Sequence, residues 1–307
     1  MVSKVIFFFI FVKKLTQHIY MKHFTIITLT LLLTISSFAQ DRPYFNVDKD
    51  LLLAQFDSKP DPDDIHAQAA LGSMMQHPDL KGVKTYAVSG AIGEQGGLFL
   101  DSRKLFNAIF GKNWTAANED WNQAVEDIVK EVLDILEDGG KVWVQEAGQS
   151  NITADWVAEI LKTVPAETVK NNIIVVQHSK WNEDQATDAD LAFVKEKTSY
   201  FSIDDGNALP TEEWGDRGPY TTPCYRNKDA NWIIMAKNAP RKKIRNLWIL
   251  ADEVIDTNFP DGFKEEWSYF STDGVDYSDC CENWWILNLG EKADTHEKFW
   301  ARYLIRL

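Results

Sequence analysis

The feature that most constrains this chain is a regular alternation of short apolar segments with longer segments of helical periodicity. Apolar runs at residues 51–56, 83–89, 141–145 and 173–177 predict strands. Between them, apolar residues recur at the spacing of one helix face, most clearly over residues 118–136. This alternation predicts a doubly wound α/β domain, in which a mostly parallel sheet carries helices on both faces.

The rest of the chain is divided by the same criteria. Further helices are predicted at residues 63–75, 98–110, 153–161, 188–197, 280–289 and 292–304, and further strands at residues 200–203 and 247–250. The segment 204–229 is rich in Gly, Pro, Asp and aromatic residues, which predicts a long functional loop or lid. The basic run at residues 241–245 is interpreted as a solvated approach to the last strand.

Residues 1–39 have the features of an export signal. An apolar run follows Met21 and Lys22, and the small residues Ser37 and Ala39 precede Gln40 in the pattern that signal peptidase cleaves. Met21 is an alternative start, and an uncleaved N-terminal anchor is the alternative to cleavage. The sequence therefore predicts a periplasmic or extracellular protein whose residues 40–307 form a single α/β domain.

Charge and cysteine content limit the classes of partner. The net charge of −14 leaves no broad cationic surface for nucleic acid or for anionic lipid. We therefore expect no nucleic-acid partner and no stable membrane association after signal cleavage. The oligomeric state stays open, with a homo-oligomer among the alternatives. In an oxidising compartment Cys224 could pair with either Cys280 or Cys281, and the sequence does not decide whether it does.

An acidic turn follows the first predicted strand. It contains four carboxylates within residues 57–64, namely Asp57, Asp61, Asp63 and Asp64. In doubly wound sheets ligands bind at the carboxyl ends of the strands, where this turn lies. Oxygen-only ligands of this kind suit Ca²⁺ or Mg²⁺, and a sugar hydroxyl network is a second way to compensate the repulsion. The structural alternative is a solvated turn with acids at a helix N-terminus.

This turn resembles the acidic fingerprint of the nucleoside hydrolase superfamily (the inosine-uridine-preferring nucleoside hydrolase fold), Asp-x-Asp-Pro-Gly-x-Asp-Asp. The matching positions are Asp57, Pro60, Asp63 and Asp64. Lys59 stands where the family has its metal-binding, water-activating Asp, and Asp61 replaces the Gly. The turn is also similar to the variant in secreted nucleoside-hydrolase-like proteins that are sometimes labelled cellulose-binding.

Later strand ends extend the resemblance. Gln95, in a Gly-rich segment after the second strand, is similar to the family's sugar-binding amide. Ser150 lies nearest to the Thr of the loop that donates a carbonyl to the metal. His178 and Trp181 follow the fourth strand, where the family places substrate contacts, and Asp279 resembles the last metal-ligand Asp.

The resemblance implies cleavage of an N-glycosidic or related glycosidic bond in a nucleoside or sugar ligand, with Ca²⁺ holding the ribose hydroxyls and a water. The implied metal ligands are Asp57, Asp64, Ser150 and Asp279. The implied substrate-binding residues are Asp63, Gln95, Trp181 and Asn182. The implied catalytic residues are Asp57 or Asp61 as base and His178 at the leaving group.

Lys59 keeps two other hypotheses open. A Lys ammonium close to a carboxylate neutralises it without a metal and repels Ca²⁺. The first alternative is a carbohydrate- or nucleoside-binding protein on the same fold, without turnover. The second is a metal-free glycosidase that uses two carboxylates. His178 also has the interpretation of an ordinary strand-end histidine.

Overall fold

The computed structural model describes residues 42–59, 62–94, 99–207, 222–258 and 274–305. Every element described below belongs to the compact unit Tyr44–Leu307. Within the described ranges, no helix combines the length and the apolar character that a membrane crossing requires.

The main sheet is parallel throughout its six described strands. These strands are β1 (Leu51–Phe56), β2 (Lys84–Ser89), β3 (Trp114–Ala116), β4 (Val142–Ala147), β5 (Ile173–His178) and β6 (Ser199–Ile203). Their order is β3-β2-β1-β4-β5-β6, so the winding direction reverses between β1 and β4. The predicted doubly wound α/β fold is confirmed.

A second, antiparallel pair joins β7 (Arg226–Asn227) to β8 (Val275–Asp276). The described residues form eleven α-helices: α1 (Pro62–Met74), α2 (Arg103–Phe110), α3 (Trp121–Glu137), α4 (Asn151–Ile160), α5 (Ala166–Asn172), α6 (Lys180–Gln185), α7 (Asp188–Lys197), α8 (Asn231–Lys237), α9 (Lys242–Asn258), α10 (Cys281–Ile286) and α11 (His296–Trp300). Three short 3₁₀ turns, Pro78–Leu80, Ser278–Cys280 and Gly290–Lys292, and a π-helical turn, Ala301–Ile305, complete the described part.

The sheet is buried on both faces. Every residue of β1, β4 and β5 is buried, as expected for central parallel strands covered by helices. Leu52 and Phe56 pack in the same core as residues of α1 and α9, whereas Leu51 and Leu53 pack with residues of α3 and α4. Full burial of one such side chain stabilises the fold by about 1.5–3 kcal/mol.

The strand predicted at residues 247–250 is wrong, because these residues lie inside helix α9. Ile244, Leu247, Trp248 and Ala251 form a buried stripe at helical spacing. A four-residue apolar run does not distinguish a strand from a buried helix face, and here the longer periodicity decides. The basic run at residues 241–245 consequently leads into α9 and not into the sheet.

The other predicted boundaries differ less from the observed ones. The helix predicted from residue 98 begins at Arg103, and β3 and α5 were not predicted. The two closing helices are interrupted, since Asn288 and Gly290 adopt positive φ values of 49° and 50° after α10. The predicted lid at residues 204–229 lies partly outside the described residues, which omit 208–221, and its end contributes β7. Cys224, Cys280 and Cys281 are all free thiols.

Asp50 connects the start of β1 to β4. Its carboxylate accepts hydrogen bonds from the backbone N–H groups of Asn46 (2.8 Å) and Lys141 (2.9 Å). It also accepts one from the indole N–H of Trp143 (2.9 Å), a fully buried ring. Asp50 is itself buried, so loss of its charge weakens three bonds that water does not replace.

We predict that Asp50→Asn lowers the free energy of unfolding by about 1–3 kcal/mol, because hydrogen bonds to a buried carboxylate are lost or weakened. Urea unfolding followed by tryptophan fluorescence measures the change. Asp48→Asn removes the same charge two residues earlier at an exposed position and should stay within about 0.5 kcal/mol of the parent. Equal effects of the two substitutions would contradict the role given to Asp50.

Candidate functional site

The candidate site lies where β1 and β4 end side by side. This pair is the point at which the strand order reverses, the usual position of a ligand crevice in such sheets. The two strand ends pack closely, because a Cβ added to Gly148 would lie 2.5 Å from the carbonyl oxygen of Ala91 and 3.2 Å from Cβ of Asp57. A glycine at position 148 is required by the carbonyl oxygen of Ala91, which leaves no room for a Cβ.

Asp57 is held by hydrogen bonds from both sides of this junction. Its Oδ1 accepts from the backbone N–H of Lys59 (2.9 Å), and its Oδ2 accepts from the side-chain amide of Gln149 (2.9 Å). Ser58 follows with a positive φ of 55°, and its N–H donates to Oδ2 of Asp64 (2.5 Å). The turn therefore folds back onto the first turn of α1.

Three carboxylates converge beside this turn. One oxygen from each of Asp63, Asp64 and Asp279 lies within 4.8 Å of the others, and we call these residues the acid group. Asp64 and Asp279 are buried and Asp63 is half-buried. Burial, together with the negative charges of Asp57 and Asp279, raises the pKa of the Asp64 carboxyl well above its ordinary value.

The acid group fits a hard divalent cation. Oδ1 of Asp64 is buried and has no hydrogen-bond partner among the described residues, which is uncommon for an interior carboxylate oxygen. All the converging side-chain ligands are oxygens, the donor type that Ca²⁺ and Mg²⁺ prefer. A bound cation would compensate the burial and the repulsion that raise the pKa of Asp64.

The structure brings some of the predicted metal ligands together. Asp64 and Asp279 meet in the acid group, and Asp57 acts electrostatically on Asp64. Asp63, which was predicted to bind substrate, joins them. Ser150 is buried before α4, and its Oγ has no hydrogen-bond partner among the described residues. The predicted residues Asp61 and Gln95 lie outside the described residues, as does Pro60.

Lys59 is buried, with 6% of its surface exposed. Its side chain therefore does not extend from the turn into solvent. The positive charge that departs from the family pattern is held inside the protein, next in sequence to the acidic turn.

His178 lies beneath the acid group. Its Nδ1 is 2.5 Å from Oε1 of Glu282, and its Nε2 is 3.6 Å from Oδ1 of Asp279. Burial lowers the pKa of His178, but the charge of Glu282 and the contact with Cys281 raise it more, so the pKa lies well above its ordinary value. With 1% of its surface exposed, His178 is an internal partner of two carboxylates and has no open side toward a leaving group.

The end of β5 also places an aromatic ring and an amide near the crevice. Trp181 is 53% exposed, an uncommon degree of exposure for so large an apolar side chain. Asn182 is buried, and its Oδ1 accepts a weak hydrogen bond from Gln149 (3.4 Å). Gln149 thus connects Asp57 to Asn182, as expected if the predicted substrate-binding positions after β5 share a site with the acidic turn.

Several polar residues that organise the site were not predicted. Gln149 also accepts from the backbone N–H of Gly93 (2.9 Å). Gln145, inside β4, donates to the carbonyl oxygen of Asp279 (2.5 Å) and accepts from Asn283 (2.8 Å). Glu282 pairs with His178. For Gln145 the available signal was a polar residue inside a strand that is otherwise mostly apolar.

Glu146 is another buried carboxyl, and it follows Gln145 in β4. It accepts from the hydroxyl of Thr153 (2.9 Å) and from the amide of Gln55 (3.2 Å). Burial raises its pKa to about 8, although the Thr153 hydrogen bonds lower it and the Glu282 charge adds to the rise. Glu146 is therefore mostly neutral at pH 7 and charges at mildly alkaline pH.

Comparisons of this chain with protein-family models, with curated proteins and with solved structures give no match. The resemblance to nucleoside hydrolases consequently stays a prediction from the residues quoted above.

We predict that Glu146 makes the protein less stable as the pH rises. The folded-state pKa lies above the unfolded one, so the native state binds the extra proton and stability falls between about pH 4.5 and pH 8, by at most about 1.4 kcal/mol per unit. Glu146→Gln should remove this contribution to the pH dependence of the free energy of unfolding. Urea unfolding at a series of pH values measures it.

The matched control is Glu137→Gln, at an exposed position near the end of α3, which should keep the slope of the parent. An unchanged slope in Glu146→Gln would contradict the assignment.

Proposed function

We propose that this protein is a calcium-dependent hydrolase of glycosidic bonds that acts on a nucleoside or a related sugar. The observation that carries the proposal is the acid group at the reversal point of the sheet, with the buried and unpartnered Oδ1 of Asp64. Supporting it is the order of the predicted residues at successive strand ends. The apolar segment before Gln40 supports export to the periplasm or outside the cell.

Asp64 and Asp279 would hold the cation, with Asp63 as the half-buried and most accessible member of the acid group. When bound, Ca²⁺ supplies positive charge that orients sugar hydroxyls and acidifies a water. Asp63 accepts hydrogen bonds from hydroxyls of the sugar. Trp181, exposed at the end of β5, offers a flat apolar surface for stacking on a sugar or a base.

Asp57 is the residue that we assign to the chemistry. Its two oxygens are oriented by Lys59 N–H and by Gln149, so the carboxylate stays fixed at the strand end. A fixed carboxylate stabilises the positive charge that develops on a sugar ring as the glycosidic bond breaks. It also accepts the proton of the attacking water, as a general base does. The leaving group takes its proton from solvent, since His178 is enclosed.

A second candidate function is binding of a sugar or nucleoside without turnover. The observation that favours it is Lys59, whose buried positive charge follows Asp57 where the nucleoside hydrolase pattern has an acid. A buried ammonium disfavours a divalent cation close to it. Turnover and calcium dependence separate the two candidates.

We predict that the protein binds one Ca²⁺ and that Asp64→Asn weakens binding at least about tenfold, because one charged ligand is lost. Isothermal titration calorimetry measures the affinity. Asp188→Asn removes an exposed carboxylate from the first turn of α7 and should bind calcium like the parent.

Release of reducing sugar from a panel of nucleosides and aryl glycosides should then depend on calcium and fail in Asp57→Asn. Calcium binding without turnover of any compound would favour the binding protein. Absence of calcium binding in the folded parent would contradict the proposed hydrolase.

We also predict that calcium binding releases protons. The raised pKa of Asp64 favours the protonated carboxyl in the metal-free protein, and a bound cation favours its ionised form. Affinity should therefore increase as the pH rises, up to a pH above the ordinary titration range of an aspartate carboxyl.

Calorimetry in two buffers of different ionisation enthalpy gives the number of protons released. Asp64→Asn should release fewer protons than the parent, and equal release would show that another group is the source.

A further inference from the structure

A second cluster of potential metal ligands lies beside the acid group and differs from it in chemistry. His178, Cys281 and Glu282 each place one ligand atom within 4.8 Å of the others, and all three residues are buried. Their ligand atoms are an imidazole nitrogen, a thiol sulfur and a carboxylate oxygen. We call these residues the mixed group.

Three parts of the chain build the mixed group. His178 ends β5, while Cys281 and Glu282 open α10. The segment after β6 covers the thiol, because a Cβ added to Gly206 would lie 2.1 Å from Sγ of Cys281. β5 and α10 therefore fix the backbone positions of the three residues.

Glu282 supplies an observation that its pairing with His178 does not explain. Oε1 accepts from the His178 backbone N–H (3.0 Å) and contacts the His178 ring. Oε2 is buried and has no hydrogen-bond partner among the described residues. An ion pair alone satisfies one oxygen of this fully buried carboxylate and leaves the other without compensation.

We propose that the mixed group is a binding site for a transition-metal ion of the Zn²⁺ type. Thiolate, imidazole and carboxylate are the three protein ligand types of zinc, whereas Ca²⁺ and Mg²⁺ take oxygen alone. Oε2 of Glu282 is available as a ligand without loss of the hydrogen bond that Oε1 accepts from the His178 backbone N–H.

The charges balance when such an ion binds. The metal-free cluster holds the proton between His178 and Glu282 and the thiol proton that Cys281 directs to the carbonyl oxygen of Ser278. A divalent ion replaces both protons, which pass to solvent. The neutral imidazole, the thiolate and the carboxylate then neutralise the two positive charges, so the buried cluster gains no net charge.

Asp279 connects this ion to the acid group. It belongs to the acid group, and its Oδ1 is 3.6 Å from Nε2 of His178. A metal on the mixed group would therefore fix the side chain that faces the proposed calcium ligands. Because the three ligands are buried, we assign the ion a positioning role rather than contact with substrate.

The test is a titration of the reduced, chelator-treated full chain with Co²⁺, which replaces Zn²⁺ and reports on its ligands by absorption. We expect a thiolate-to-cobalt charge-transfer band in the near ultraviolet that saturates at one equivalent and is abolished by Zn²⁺. Excess Ca²⁺ should leave the band in place, since thiolate is not a calcium ligand.

Cys281→Ser should remove the band. Cys280→Ser is the matched control, because Cys280 is the adjacent and equally buried cysteine, with its Sγ near the carbonyl oxygen of Ala67 (3.3 Å). It should retain the band. Glu282→Gln should weaken cobalt binding by at least about tenfold while keeping the thiolate band at saturation. Circular dichroism confirms that each variant is folded.

The proposal is overturned if the folded parent shows no band, both after direct addition of Co²⁺ and after refolding with it. A band that persists in Cys281→Ser, or that Cys280→Ser alone abolishes, also overturns it. If Cys281→Ser does not fold, Glu282→Gln and Cys280→Ser still test whether the mixed group binds the ion. Failure of calcium binding with an intact cobalt band would count against the proposed hydrolase and leave this inference standing.

Discussion

The burial of several carboxylates at one end of a parallel sheet is the constraint on which the rest of this site depends. Asp64 and Asp279 are removed from water within reach of Asp57, and their charges cannot all persist without compensation. Hydrogen bonds from side-chain amides provide part of this compensation. Gln149 donates to the carboxylate of Asp57, and Gln145 donates to the backbone carbonyl of Asp279. The remaining unsatisfied oxygen of Asp64 is the reason to place a cation there.

The acid group and the mixed group differ in the hardness of their ligands. They lie side by side because one short segment of the chain contributes residues to both. Asp279 belongs to the 3₁₀ turn Ser278–Cys280 and lies toward α1. Glu282 is at the start of α10 and lies toward β5. The oxygen-only group and the nitrogen–sulfur–oxygen group therefore share a boundary at Asp279 and His178. With the two proposed ions bound, this separation by ligand chemistry would let neighbouring positions discriminate between them.

The elements were predictable where periodicity is long or burial is complete. β1 was predicted at its observed bounds, as was α7, and α1 differs by one residue at each end. Prediction failed where a short apolar run was taken alone, as at residues 247–250 inside α9. It also failed at the three-residue edge strand β3, which is too short to show a period and whose position comes from pairing with β2.

The sequence by itself determined the α/β class and the acidic turn after β1, because apolar strand segments and a run of acids are local properties of the chain. Only the tertiary structure decided which acids meet. Asp279 is more than two hundred residues from Asp64, and the two come together because the 3₁₀ turn Ser278–Cys280, which contains Asp279, packs on α1. The enclosure of His178 and its pairing with Glu282 have the same origin, since burial and long-range contact depend on packing rather than on spacing along the chain.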